Sequence, residues 1–195
     1  GISFSANLLT FLIFYEILSL ATYPLVIHKE SAEAMRSGRQ YLLYALTAGV
    51  VLIAAIGITY TIAGTLDFKP GGLFGDVLLD PTLIKAVFIL FIAGVGVKAG
   101  LMPLHSWLPA AMVAPTPVSA LLHAVAVVKS GVFGVIRIVG FVFGPEVMHD
   151  FGLNLILATF AGATILIASL IAMKQDNLKR RLAYSTVGHL SYIVL

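Results

Sequence analysis

Residues 82–101 read TLIKAVFILFIAGVGVKAGL. A run of about 20 apolar residues is the length needed to cross a bilayer as a helix. Yet Lys98 lies inside it. A charged side chain at such depth costs about 2.5–3.5 kcal/mol on insertion scales, so its presence asks for a purpose. The same pattern recurs on either side. Glu16 lies within Ile2–Ile27, His123 and Lys129 within Thr116–Phe143, and His189 within the terminal run Leu182–Leu195. Five titratable groups inside hydrophobic runs point to protons or cations moving through a membrane.

Composition agrees with a membrane setting. The chain is 59% hydrophobic and only 11% charged, where a soluble domain carries roughly a quarter charged residues. Mean hydropathy is +1.02. The apolar stretches show little periodicity, as expected of helices greasy on all sides. The expected fold class is all-α: a polytopic transmembrane helix bundle containing a broken helix. A net charge of +3 is too small to suggest nucleic acid. Cysteine is absent, which excludes disulfides, thiolate metal ligands and iron–sulfur clusters from this chain. No basic n-region or A-x-A site opens the sequence, and its last apolar run is about 14 residues, short of a full span. Both ends read as those of an internal piece of a longer protein.

Six spans are expected: Ile2–Ile27, Gln40–Gly64, Thr82–Leu101, Thr116–Phe143, Leu153–Met173, and a last one from Leu178. A loop with turn signals, Thr65–Pro81, separates the second from the third. Met102–Ala114 is too polar for a clean span and too apolar for a loop. It carries His105, Ser106 and Trp107 between Pro103 and Pro109. Proline removes a backbone donor and clashes with the preceding turn. Thr82–Ala114 is therefore expected to be a broken helix, interrupted between Gly100 and Leu104, with Lys98 just before the gap. Irregular backbone at membrane depth is tolerated where it is buried in protein or lines a wet cavity, and broken helices beside charges recur in transporters. The structural alternative is a kinked packing helix with a snorkelling lysine.

Orientation follows from the loops. Ile27–Gln40 holds Lys29, Arg36 and Arg39, and Met173–Leu182 holds Lys174, Lys179, Arg180 and Arg181. The opposite end carries Asp67, Asp76, Asp80, Glu146 and Asp150 against Lys69 and Lys85. The positive-inside rule assigns the two basic loops to the cytoplasm. At 1.5 Å per helical residue, Glu16 and Lys129 then lie about 18 Å deep, His189 about 16 Å and His123 about 9 Å. With Lys98 at the break, four helices each place a titratable group near one level, as a polar layer parallel to the membrane would.

A proton relay needs groups whose two protonation states lie close in energy. Moving a lysine from its ordinary pKa near 10.4 to neutrality takes about 4 kcal/mol, a shift that desolvation can supply. A carboxylate close by opposes it. A movable Glu16–Lys98 pair would thus switch, releasing a proton toward Lys129 or His123 when the carboxylate withdraws, and buried histidines are natural carriers. His123 and Lys129 are six residues apart, about 120° from facing the same way on an α-helix. They could flank one partner but not both point at it. His123 could equally be a structural hydrogen-bonder, and His105 and Trp107 could simply shape the break. His28 and His149 read as loop residues.

The stretch VGVKAGLMPLHSWLPAAMVAPTPVSALLHAVAVVKSGVFGVIRI, with LKRRLAYSTVGHLSYI downstream, resembles the antiporter-like membrane subunits of respiratory complex I, of multisubunit sodium/proton antiporters and of membrane-bound hydrogenases. The likeness covers essentially the whole chain. FYEILSLATYPLV is similar to the family's acidic helix, which puts Glu16 at its glutamate. By the same resemblance Lys98 in GVKAG is the lysine of the broken helix. Lys129 in VVKSG matches the lysine of the next helix in one branch, and His123 in LLHAV the histidine used in another. His189 in STVGHLSYI falls on a histidine of the central polar axis. WLPAAM departs from the pattern: Ala110 stands where many members have an acidic residue, so any role of that carboxylate is in doubt here. The resemblance implies a fold of about fourteen helices with two inverted five-helix repeats, of which this chain holds one repeat and the start of the next. KSGVF and TVGHLSY lean toward the D-type antiporter subunit.

The expected function is proton or sodium/proton translocation through Glu16, Lys98, His123, Lys129 and His189, with Gly100, Pro103, His105 and Trp107 forming the broken-helix region. Expected partners are lipid and other membrane subunits of a hetero-oligomeric complex in a bacterial or archaeal cytoplasmic membrane. No Gly-rich phosphate cradle, metal-ligand spacing or nucleophile–base pair occurs, so no cofactor or metal is expected in this chain. NADH, quinone or hydrogen chemistry would sit on other subunits. Two alternatives are a solute permease, which predicts a roomy cavity with aromatic or hydroxyl contacts, and a structural membrane scaffold. The scaffold leaves several inserted charges without a role.

Overall fold

The architecture rests on a few strong helix starts and stops. In the computed structural model, which describes residues 1–75 and 80–195, Asn7 accepts a hydrogen bond from Thr10 N at 2.8 Å and opens α1, Leu8–Val26. Ser31 accepts from Ala34 N at 3.1 Å and opens α2, Ala32–Ala63, which ends at Gly64 in the left-handed region. Asp80 caps α3, Pro81–Ala99, with proline in the first turn, where its missing N–H costs nothing. Asp76, counted above with the acidic end, lies outside the described residues. The long helical stretch 116–150 consists of α5 (Thr116–Ala120), a π-helical turn Leu121–Val125, α6 (Val127–Ile138), a second π-turn Val139–Phe143, and α7 (Gly144–Asp150). Helix α8 spans Leu153–Met173, and α9, Leu178–Val194, is capped by the Asn177 side chain.

Several bounds differ from the sequence expectation. Residues Ile2–Phe4 form a separate 3₁₀ turn, so Ile2–Ile27 is not one helix. Helix α2 begins eight residues before Gln40, and most of the basic stretch Ile27–Gln40 is helical. The third helix breaks as expected, ending at Ala99 with Gly100 at φ 74. Turns carry the chain through Ser106 into the short α4, Trp107–Ala110, and a 3₁₀ turn Ala111–Val113.

Helix α3 is the centre of the bundle. It packs between α2 and α6, α1 pairs with α2, and α8 and α9 form a hairpin whose second helix touches α6 and α4. Among the described residues, five helical segments are long and apolar enough to cross a membrane. Their outward faces are greasy, with Leu43, Val50, Leu155 and Leu166 each 66% exposed or more. The inner faces bring Phe74, Phe88 and Phe91 around Phe143 at ring separations of 5.1–6.0 Å. The second π-turn frees carbonyls at the same place. Phe141 O and Val142 O accept from Lys69 N and Leu73 N of the Thr65–Pro81 loop, which seats that loop on the bundle. Among the described residues, secondary structure is otherwise helical, with one isolated bridge between Asn7 and Asp67.

Candidate functional site: a buried lysine at the helix break

Lys98 occupies the last turn of α3 and is 1% exposed. Its ammonium group lies over the Tyr15 ring, 3.3 Å from the centroid, and donates to the Tyr15 backbone carbonyl. A cation on the face of an aromatic ring is attracted by the ring quadrupole, most strongly where water is excluded. Tyr15 is itself fixed, its hydroxyl 3.3 Å from the carbonyls of Gly94 and Val95 in the turn before Lys98. One tyrosine of α1 thus holds both the backbone and the charge at the end of α3.

Glu16 is the next residue along α1 and is half-buried. Its Oε1 is buried without a hydrogen-bond partner among the described residues, and the side chain lies against Gly49 of α2. Among the described residues, the ion pair within 4 Å is His149–Asp150, a surface contact. Glu16 and Lys98 therefore share the surroundings of Tyr15 without touching. This arrangement differs from a closed salt bridge: the lysine rests on a carbonyl, and the carboxylate is left free to move.

The break is built to stay open. Gly100 N and Leu101 N donate back to Val97 O and Gly96 O, closing the end of α3. The left-handed backbone at Gly100 is a conformation that glycine adopts without steric cost. Trp107 of α4 is buried and donates from Nε1 to Val97 O at 2.7 Å, a second donor to the carbonyl that Gly100 N also reaches. Met102 N donates to Thr164 Oγ1 of α8 at 3.1 Å, and Ser106 Oγ and Tyr44 Oη of α2 are 2.6 Å apart. His105 is half-buried with its ring 5.8 Å from that of Tyr184, and its Nδ1 has no partner among the described residues. Pro103, by contrast, is exposed. Gly131 of α6 sits against the backbone of Lys98 and Ala99 so closely that a Cβ there would overlap it.

The remaining candidates sit elsewhere. His123 lies in the first π-turn, half-buried, with Nε2 lacking a partner among the described residues. That turn shifts the helical phase between His123 and Lys129 by about one residue, so the facing angle of a regular α-helix does not hold. Lys129 is exposed in a groove of about 700 Å³, lined largely by apolar residues of α1 and α6 such as Phe14, Ile17 and Phe133. His189 is exposed on α9, with Nδ1 3.4 Å from Ser185 Oγ. No hydrogen bond among the described residues joins Lys98 to His123, Lys129 or His189. The structure brings Lys98 and Glu16 around Tyr15 and leaves the other three on outward or separate faces.

Sequence reasoning missed Tyr15, Gly49 and Gly131. An aromatic hydroxyl directly before an acid in an apolar helix was a usable signal for Tyr15. Small residues three or four apart, as in Gly131 and Gly134, mark close helix contacts in membranes. Arg137 was missed as well. It donates to Ser5 O at 2.6 Å and lies 4.4 Å from the Phe68 ring, where it pins α6 to the N-terminal segment.

Comparisons with known proteins place this geometry in context. The model of the family described as NADH:quinone oxidoreductase/Mrp antiporter, TM, matches residues 5–195. Hydrogenase-4 component B of Escherichia coli (strain K12) is 36% identical over 194 residues, covering 97% of this chain and 28% of the relative. A probable K(+)/H(+) antiporter protein of Rhizobium meliloti (strain 1021) is 32% identical over 196 residues, covering all of this chain and 19% of the relative. The chain thus spans about a fifth to just over a quarter of the length of these relatives. Among solved structures, the Mrp complex from Dietzia sp. DQ12-45-1b aligns over the whole chain and 21% of its own, with TM-score 0.86 and 29% identity. Respiratory complex I from Thermus thermophilus aligns over 97% of this chain and 40% of its own, with TM-score 0.80 and 25% identity. The fold, the buried lysine at a helix break and the match over nearly the full length lead to one conclusion: this chain belongs to the NADH:quinone oxidoreductase/Mrp antiporter transmembrane family.

Proposed function

We propose that this chain forms part of a proton path through a membrane subunit, with Lys98 as its central proton-carrying group. The observation that carries the reading is a lysine 1% exposed at a helix break, resting on the Tyr15 carbonyl and ring with no carboxylate within 4 Å among the described residues. A carbonyl and a π-face stabilise the ammonium form less than a direct carboxylate would, so the proton is held but not locked. Glu16, one residue from that anchor and without a partner on Oε1, is placed to approach and hold the charge, then withdraw. His123, Lys129 and His189 continue the path on faces that meet other parts of the protein or its complex. The exchanged cation, where there is one, is sodium or potassium. The partners are other membrane subunits, and any redox chemistry resides on them.

The experiment is Lys98→Met in the intact complex reconstituted into vesicles. Methionine keeps much of the side-chain length and removes the charge. The lost cation–π contact and charged hydrogen bond amount to about 4 kcal/mol together, against a desolvation cost of several kcal/mol for the buried ion. The expected outcome is an assembled complex of equal or greater thermal stability whose proton translocation falls to background. Translocation at the unsubstituted rate would remove Lys98 from the path.

A further inference from the structure

The end of the bundle that carries both basic loops contains a crevice of about 460 Å³ that the proton path does not use. Lys29 follows α1, Arg36 lies on α2 and Arg180 on α9, and the three cationic side chains converge on it. Glu33 is the acid among its lining residues, with Gln40 and Asn177 supplying neutral hydrogen-bonding groups. None of the three cations makes an ion pair within 4 Å among the described residues. The inner wall is Pro109 and Met112, both buried, from the segment that follows the break.

We propose that this crevice binds the phosphate headgroup of an anionic phospholipid. Three cations, from the turn after α1, from α2 and from α9, meet without an ion pair among the described residues in a cleft large enough for a phosphodiester and its glycerol. They outnumber the local carboxylates by two, and guanidinium groups suit phosphate oxygens geometrically. The cleft lies where charged loops meet apolar helix faces, at headgroup level. Basic pockets between transmembrane helices on the cytoplasmic side recognise anionic lipid in this way. A soluble phosphate anion carries the same chemistry, but the position of the cleft at headgroup level favours the lipid as its source. Because its wall is the segment after the break, an occupied crevice also braces α4 against α2 and α9.

The test uses the full protein in its complex, extracted from vesicles of phosphatidylcholine with or without phosphatidylglycerol, and reads the co-purifying lipid by mass spectrometry. Retention of phosphatidylglycerol over phosphatidylcholine, reduced on the order of tenfold or more in Arg36→Gln/Arg180→Gln and unchanged in Arg39→Gln, supports the proposal. Arg39 is basic at the same end but does not line the crevice. Should the double glutamine variant fail to assemble, Arg36→Lys/Arg180→Lys keeps the charge and is expected to retain an intermediate amount of phosphatidylglycerol. Inorganic phosphate added during extraction separates the sources. Little displacement supports the lipid, whereas saturable phosphate binding without any lipid preference overturns the lipid assignment. Equal phosphatidylglycerol retention by the unsubstituted protein and the double glutamine variant overturns the site.

Discussion

Gly49→Ala moves the Glu16 carboxylate without altering a titratable residue. A Cβ at position 49 would lie 2.8 Å from Oε1, 2.9 Å from Cδ and 3.1 Å from Oε2 of Glu16. Ordinary contact begins near 3.4 Å, so the carboxylate must retreat by about 0.6 Å or more. It is free to do so, since Oε1 has no hydrogen bond to break and the group is the end of a flexible side chain. Helix α2 gains up to about 1 kcal/mol from replacing glycine in its interior. An off-rotamer glutamate costs about 0.5–1.5 kcal/mol, so the net change in stability is expected to stay within about 1 kcal/mol. If the position of the carboxylate governs the release of the Lys98 proton, translocation falls by about tenfold or more, as misplacing reacting groups by up to 1 Å does elsewhere. The assay is proton translocation in vesicles for the single variants and for Gly49→Ala/Glu16→Gln, with thermal unfolding alongside. In the Glu16→Gln background the alanine should have no further effect on translocation. Additive losses, or full translocation by Gly49→Ala where Glu16→Gln is inactive, would refute the reasoning.

Other parts of the site give further expectations. Gly131→Val drives side-chain atoms into the backbone at Lys98 and Ala99, which cannot retreat as a flexible side chain can. It should cost at least 1–3 kcal/mol, read as a lower unfolding temperature, with translocation lost in step. Trp107→Phe removes the shorter of two hydrogen bonds to Val97 O and leaves that buried carbonyl with Gly100 N alone. A loss of about 0.5–1.5 kcal/mol is expected, and faster amide exchange in residues 100–106 would localise it to the break.

The broken helix was legible because its signals are local. A glycine at the point of termination, a proline three residues on and a polar cluster beyond them each interrupt an apolar run. The start of α2 was not, because Glu33, Arg36 and Arg39 read as a loop while the Ser31 cap and the turns that follow make it helix. The π-turns at Leu121–Val125 and Val139–Phe143 were invisible for a different reason. When every face of a helix is apolar, no hydrophobic stripe records a change of phase. Counting residues gave depths for Lys129 and His189 but not directions. Both are exposed on the surface of this chain, a property set by helix rotation within the bundle. Lys98 faces inward because Tyr15 on another helix, 83 residues away in sequence, supplies its carbonyl and ring.

Lys98→Arg separates charge from proton exchange, since arginine keeps the positive charge and a hydrogen-bond donor for the Tyr15 carbonyl but does not deprotonate in proteins. The decisive measurement is proton translocation by the assembled complex carrying this substitution, in sealed vesicles at neutral pH. An assembled complex with translocation at background is the predicted result. Translocation close to that of the unsubstituted protein would mean that Lys98 never gives up its proton, and would contradict the account.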